Sequence, residues 1–472
     1  MIAMRNLLFL ILAITLLPVS AETLVNNRGY GRYPAPMQVE GSPDILVVLV
    51  EFSDVEFSMD DANDFYERLF NEADFSDYDA TGSVSDWFKS NSADIFTPHF
   101  DVYGPVKLDY ARSYYGGNDA NGRDLNPGRM VIEACEKLDT DIDFSIYDHN
   151  DDGIIDNVFV CYPGLSEEDG GSSECIWPHS GAITELYPSE HYEFDSTTLD
   201  QYACTAELSG KYNRPAGIGV YIHEISHLMG LPDLYPTAPV SAFTPGEWSV
   251  LDRGPDCNEG RTPPGYSSFE LFALGWIDVE VISESGHYSL PPLNSHRSAF
   301  VITTDNPNEY FFIENRQRTG NDAFLPYHGM LVWHVDYDAQ SWMANTVNND
   351  GEHQRVDLIE ADGLQSDNTR NSDSFPGRKK VTELGFHTNP ALKAWSGKET
   401  GVELFEIEEN DGIISFDAEC KGISSVASTM EDESITVEWR DLSGRQYIHP
   451  SHGIWLKTIK RGDNITTQKI IL

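Results

Sequence analysis

Tyr221-Ile-His-Glu-Ile-Ser-His-Leu-Met-Gly-Leu-Pro-Asp233 is the stretch on which the chain turns. It reads H-E-x-x-H, extended to H-E-x-x-H-x-x-G-x-x-D. On a helix, His223 and His227 lie four residues apart on one face. Two imidazoles so placed can hold one zinc ion, and Glu224, the next residue, can reach a water beside it. Gly230 can end the helix, because glycine adopts the left-handed conformation cheaply, and Pro232 prevents a restart. The chain then turns back, so Asp233 can bring its carboxylate to the same ion. Three protein ligands with one open position describe a catalytic rather than a structural zinc.

The plain alternative is an amphipathic helix whose histidines happen to fall at helical spacing. Against it stand the apolar run Ala216-Gly-Ile-Gly-Val-Tyr-Ile222, which buries the helix, and the glycine, proline and carboxylate where a metal-site turn needs them. The extended motif resembles that of the immune inhibitor A-type secreted metallopeptidases. That family is similar to the metzincins but ends its motif in an acidic residue where metzincins carry a third histidine. The resemblance implies a zincin/metzincin-like α/β (α+β) catalytic domain and zinc-dependent cleavage of proteins or peptides.

The chain of 472 residues is long enough for two or three domains, and its 40% hydrophobic content supports real cores. Asp and Glu number 77 against 31 Lys and Arg, a formal net charge of −46. Such a surface repels nucleic acid and anionic membrane, which excludes both as partners. Met1 to Asn6 carries one positive residue, Leu7 to Leu17 is apolar but too short to span a bilayer, and Val19-Ser20-Ala21 offers small residues for cleavage. Together they read as a secretory signal peptide, residues 1–21, with no transmembrane segment left in the mature chain. Six cysteines (Cys135, Cys161, Cys175, Cys204, Cys257 and Cys420) form no C-x-x-C pair. Export permits up to three bridges, and free, buried thiols remain the alternative.

Residues 22–43 read as an extended leader without cysteine, so they hold no residue for cysteine-switch masking of a zinc. The run Ile45 to Phe52 predicts a strand buried on both faces. Ser58-Met-Asp-Asp predicts a helix start, and Gly82 to Ser92 a second helix capped by Ser83 or Ser85. Both the strand and the second helix resemble the opening of the family's peptidase domain. Asp148-His-Asn-Asp-Asp-Gly-Ile-Ile-Asp156 places Asp148, Asn150, Asp152, the carbonyl of Ile154, and Asp156 at loop positions one, three, five, seven and nine of a calcium loop. Position twelve is Phe159, not glutamate, so this is an incomplete EF-hand-like loop, and an Asx-rich turn is the alternative. The family carries a similar Asp-rich turn.

Cys175-Ile-Trp-Pro-His179 resembles a family motif upstream of the zinc helix; His179 either sits near the cleft or packs in a loop. Gly246-Glu-Trp-Ser-Val-Leu-Asp-Arg-Gly254 falls where the resemblance implies a methionine-containing turn below the metal, with Leu251 at the matching position. Pro263 to Trp276 reads as a turn and helix closed by Gly275. From about 280 short alternating segments separated by Gly, Pro, Asn and Asp predict a β-sandwich-like domain. His334 in one of its strands reads as packed.

The last fifty residues contain Asp441-Leu-Ser-Gly-Arg445, Gly453-Ile-Trp-Leu-Lys457 and Lys469-Ile-Ile-Leu472. They resemble a type IX secretion sorting domain, which implies secretion machinery as a partner and release or cell-surface attachment as the fate. The alternative is a final hairpin of the preceding domain. The expected layout is therefore 1–21 signal peptide, 22–43 leader, 44–280 catalytic domain, 281–420 β-rich domain and 421–472 small all-β sorting module. The function expected is a secreted zinc endopeptidase with Glu224 as general base and a structural calcium. Tyr235, His179 and His334 are the candidate oxyanion stabilisers. Two competitors are a non-catalytic calcium- and zinc-stabilised surface protein binding a glycan or host protein, and a zinc hydrolase acting on other bonds.

Overall fold

A computed structural model describes residues 37–421 in full and, beyond them, the backbone of strands between Thr436 and Ile471. The expected signal peptide, most of the leader, and residues 442–445 of the D-L-S-G-R stretch lie outside the described residues. The fold is mixed α/β, with several sheets and few helices.

β1 (Asp44–Glu51), β2 (His99–Lys107), β3 (Val158–Leu165), β4 (His179–Ala182) and β5 (Gln201–Ser209) form one sheet in the order β2-β1-β3-β5-β4. A short β6, Arg214–Pro215, pairs with β5. The first four in that order run parallel, and β4 closes one side antiparallel. β1 alternates perfectly between two cores, as a strand covered on both sides must. Ile45, Val47 and Leu49 enter the core that also holds the zinc-motif helix, while Leu46, Val48 and Val50 enter the opposite core.

Helices cover both faces of this sheet. α1 (Ala62–Asn71) and α2 (Val84–Ser92) share the core of the motif helix, and α3 (Pro127–Leu138) packs on the other face, with proline at its start. Ser83 caps α2 and Asp86 completes a capping box. α1 corrects the expected start at Ser58. Its cap is Asp61, because the Ser58 amide and hydroxyl both donate to Glu207 Oε1, at 2.7 and 2.5 Å.

The motif helix is α4, Ile218–Leu228. It is hydrophobic nearly all round and buried nearly throughout, as a core helix must be. Gly219 lets its first turn press against the segment 255–260: a Cβ there would stand 2.2 Å from the Pro255 carbonyl oxygen. At the far end Gly230 takes φ 94°, which turns the chain as expected. α5 (Ser268–Ala273) follows, capped by Ser267 and closed by Gly275 at φ 74°.

β7 (Glu280–Val281), β9 (Phe300–Thr303), β10 (Glu309–Arg316), β11 (Gly329–Asp336) and β12 (Val356–Leu358) form a second sheet in the order β12-β11-β10-β9-β7. β8 (Gly286–Leu290), β13 (Val402–Asn410) and β14 (Ile413–Cys420) form a third, in the order β8-β14-β13. The two sheets pack on each other through Phe311, Ile313, Val332, Phe416 and their neighbours. The other face of the five-stranded sheet is also buried: Tyr310, Phe312 and Trp333 enter the same core as the motif helix. Short α6 (Ala339–Met343) leads from this sheet into the loop described below.

Residues 421–472 form a second compact unit, in which strands 436–441, 446–447, 454–461 and 464–471 make one antiparallel sheet. In the larger unit all six cysteines are free thiols.

Candidate metal centre

His223, Glu224 and His227 are carried by α4, and Asp233 by the turn that Gly230 makes. All four are buried, at 7, 4, 4 and 5% exposure. His223 Nε2, His227 Nε2 and Asp233 Oδ1 form a triangle with sides of 3.2, 3.3 and 3.2 Å. Zinc bonds of about 2.0–2.1 Å at tetrahedral angles put ligand atoms about 3.3 Å apart. The triangle therefore has the dimensions of one face of a zinc tetrahedron, and among the described residues this is the group of His, Cys, Asp or Glu so gathered.

The orientation of each ligand has its own cause. His223 Nδ1 meets the Val250 carbonyl and His227 Nδ1 the Leu231 carbonyl, each at 2.8 Å. With a proton on each Nδ1, the Nε2 lone pairs point into the triangle. Asp233 is held by Asn345: its Oδ2 accepts from Asn345 Nδ2 at 2.6 Å, and its backbone N–H donates to Asn345 Oδ1 at 2.8 Å. Asp233 Oδ1 and Glu224 Oε2 are buried without a hydrogen-bond partner. Buried polar atoms are rarely left so, and these two, beside two imidazole nitrogens, suit a cation and a polar ligand on it. Burial pushes the Glu224 carboxyl up to about 7 against the opposing pull of the two imidazoles.

Residues 246–251 do reach the site, through the Val250 carbonyl on His223. Leu251 is fully buried, and its own carbonyl accepts from Leu234 N–H at 2.8 Å, which secures the turn carrying Asp233. Of the three oxyanion candidates, Tyr235 lies at the centre, its ring stacked on His223 with centroids 6.2 Å apart. His179 bonds Tyr202 Oη at 2.9 Å from the edge strand β4, and His334 is tied to Glu309 at 2.7 Å and stacked on Phe311. His223, Glu224 and Tyr235 open onto a cleft of about 560 Å³ whose walls include Glu168, Trp177 and Phe243.

The candidate calcium residues Asp148, Asn150, Asp152, Ile154 and Asp156 share one loop. Their oxygens bond that loop: Asp148 accepts from Asp152 and Gly153 N–H at 3.0 and 2.8 Å, Asn150 from Asp152 N–H at 2.9 Å, and Asp152 from Ile154 N–H at 2.9 Å. Asp156 Oδ2 meets His149 Nδ1 at 2.8 Å.

Residues 38–270 match the immune inhibitor A peptidase M6 catalytic domain. The M6 match begins at the residues before β1 and ends inside α5, so it contains every ligand of the triangle. Two relatives follow it. A pre-pro-metalloprotease, PrtV, of Vibrio cholerae serotype O1 (strain M66-2) is 24% identical over 295 residues, covering 51% of this chain and 31% of the relative. Immune inhibitor A of Bacillus thuringiensis subsp. alesti is 24% identical over 268 residues, covering 47% of this chain and 38% of the relative. The matches thus span about a third of each curated relative.

Asn345 carried no signal in the sequence. It lies outside the M6 match, 112 residues beyond Asp233, in a stretch without a motif. The Val250 and Leu231 carbonyls are equally silent, because any residue presents a carbonyl.

Proposed function

We propose that the chain is a secreted zinc endopeptidase that cleaves extracellular proteins, with His223, His227 and Asp233 as metal ligands and Glu224 as general base. One observation carries the reading: the three donor atoms stand 3.2 to 3.3 Å apart beside a buried carboxylate oxygen that has no partner. A purely structural zinc has no use for that carboxylate. The M6 match and the name of the Vibrio relative support the same chemistry.

When bound, zinc supplies a Lewis acid that polarises the scissile carbonyl and acidifies water. The chain's residues do the rest. Glu224 takes the proton of the attacking water at Oε2 and returns it to the leaving amine. Asn345 keeps Asp233 aimed, and the Val250 and Leu231 carbonyls keep both imidazoles in one tautomer. Tyr235, beside His223, is the side chain to donate to the oxyanion. The proposal includes export by the signal peptide and the 421–472 sorting module. It also includes calcium in the 148–156 loop, which rests on spacing. Among the described residues no helix is long and apolar enough to cross a membrane.

The test is Glu224→Gln in the purified full chain. Zinc content stays at the wild-type level while casein cleavage falls by about 10²–10⁴-fold. Cleavage at the wild-type rate removes Glu224 from the mechanism.

A further inference from the structure

Four carboxylates gather where β12 leaves the five-stranded sheet: Asp357, Glu360, Asp362 and Asp373. The backbone brings them together. Ala361 N–H donates to the Asp373 carbonyl at 2.9 Å, and Gly363 N–H to the Glu360 carbonyl at 2.8 Å, closing a turn in which Gly363 has φ 67°. Glu360 is 6% exposed and Asp373 1%. Glu360 Oε1, Asp373 Oδ1 and Asp362 Oδ2 are buried with no hydrogen-bond partner.

The remaining contacts are few and neutral. Asp373 Oδ2 accepts from Trp248 Nε1 at 3.0 Å, Asp362 Oδ1 from Leu364 N–H at 3.0 Å, and Asp357 from Leu358 N–H and Gln365 Nε2 at 2.9 and 3.3 Å. Among the described residues none of the four makes an ion pair, unlike the acidic residues around them. Arg370, the guanidinium beside the cluster, bonds Asp367 and the Thr244 and Pro245 carbonyls and pairs with Glu247; its charge pulls the Asp357, Glu360 and Asp373 carboxyls down without offsetting their burial. Burial, with repulsion between neighbours, pushes the Asp357, Glu360 and Asp373 carboxyls up. Without a counter-ion such a group stays ionised only at a cost and takes up a proton instead; a cation beside it restores the ionised form.

We propose that Asp357, Glu360, Asp362 and Asp373 bind one calcium ion, which locks the loop 360–373 against Trp248. All donors are oxygens, which calcium and magnesium both accept. No three of these residues bring carboxylate oxygens within 4.8 Å of one another, so the loop closes inward on the ion. Calcium, with longer bonds and flexible geometry, accommodates such a loop better than magnesium, which demands a near-ideal octahedron. The site reaches the metal centre by one short path. Trp248, bonded to Asp373, lies in the turn 246–251 whose Val250 carbonyl holds His223. The calcium thus braces the underside of the centre, whether or not that centre cleaves peptides.

The experiment uses the full chain, loaded with zinc and freed of calcium on a chelating resin. Calcium chloride is titrated by calorimetry, and thermal unfolding is followed with and without about 1 mM calcium. Wild type, Glu360→Gln, Asp373→Asn and the double variant Asp148→Asn/Asp152→Asn are compared. Calcium raises the wild-type melting temperature by several degrees, whereas magnesium does not. Glu360→Gln and Asp373→Asn each weaken the site by about tenfold or more and lose most of that rise, because each removes one anionic ligand. Both near-isosteric changes also remove a buried charge, so calcium-free variants melt at or above calcium-free wild type. The 148–156 double variant keeps this site. Wild-type calcium binding in both single variants overturns the proposal, as does a wild-type chain that takes up no calcium at about 10 mM. Loss of binding only in the double variant moves the calcium to the 148–156 loop and overturns it equally.

Discussion

Replacing Asn345 by glycine should loosen zinc without unfolding the chain. Asn345 makes two bonds to Asp233, one of them to the ionised carboxylate, at 2.6 and 2.8 Å. A hydrogen bond to a charged group contributes about 1.5–3 kcal/mol, and losing an outer partner of a metal ligand typically weakens the metal 10–100-fold, or ~1.4–2.7 kcal/mol. The two routes agree on an expected loss of about 2 kcal/mol. The choice of glycine matters. Asn345 has φ 52°, where alanine adds ~1–2 kcal/mol of strain, so Asn345→Ala would mix backbone and metal effects. Glycine deletes the amide at a conformation it tolerates, and the Asn345 carbonyl that accepts from Thr237 is untouched. Asn345→Asp should be worse, because a second carboxylate then faces Asp233. The assay is competition for zinc against a chromophoric chelator, with the melting temperature of the metal-loaded protein as a check on folding. A zinc affinity within about twofold of wild type for a folded Asn345→Gly chain would refute the reasoning.

Three further outcomes follow from other parts of the molecule. His227→Ala should lose the bound zinc and casein cleavage together, read by metal mass spectrometry; full zinc retention would place the metal elsewhere. Gly219→Ala puts a methyl 2.2 Å from the Pro255 carbonyl oxygen, so it should lower the unfolding free energy by about 1–3 kcal/mol and with it the melting temperature. Burial pushes the Asp124 carboxyl up to about 7, with Trp177 N–H donating to Oδ2 and Oδ1 buried without a partner. A raised carboxyl favours folding below the unfolded value near 4, and that contribution is lost as pH rises through about 7. Asp124→Asn should therefore gain on wild type as pH rises from about 5 to 8, by ~1–2 kcal/mol given its partial exposure, in urea unfolding at each pH.

Some of this was legible because it is local. The unbroken aliphatic run of β1 admits one reading, a strand covered on both sides, and the structure divides its residues between two cores. The α2 cap is legible only as Ser83 or Ser85; the Asp86 side chain reaching back to Ser83 N–H decides for Ser83. For the α1 cap Ser58 satisfies the same local pattern as Asp61; a carboxylate on β5, Glu207, decides between them. The alternating segments after residue 280 predict a β-sandwich-like domain. One face of β10 meets the third sheet and the other meets the core of α4, so β10 is buried along its whole length. Glu314 and Arg316 form a buried ion pair within it.

The chain by itself determined which side chains carry the chemistry and how they are spaced on one helix and one turn. Helical periodicity, the conformational freedom of Gly230 and the rigidity of Pro232 act within a dozen residues, so they can be read from the residues alone. What only the tertiary structure decided is the aim of those side chains. Val250 comes from the turn after the metal motif, and Asn345 from a loop 112 residues past Asp233, in the connection between β11 and β12 of the second sheet. Hydrogen bonds to such partners depend on how separate elements pack, and packing distance has no counterpart in sequence spacing.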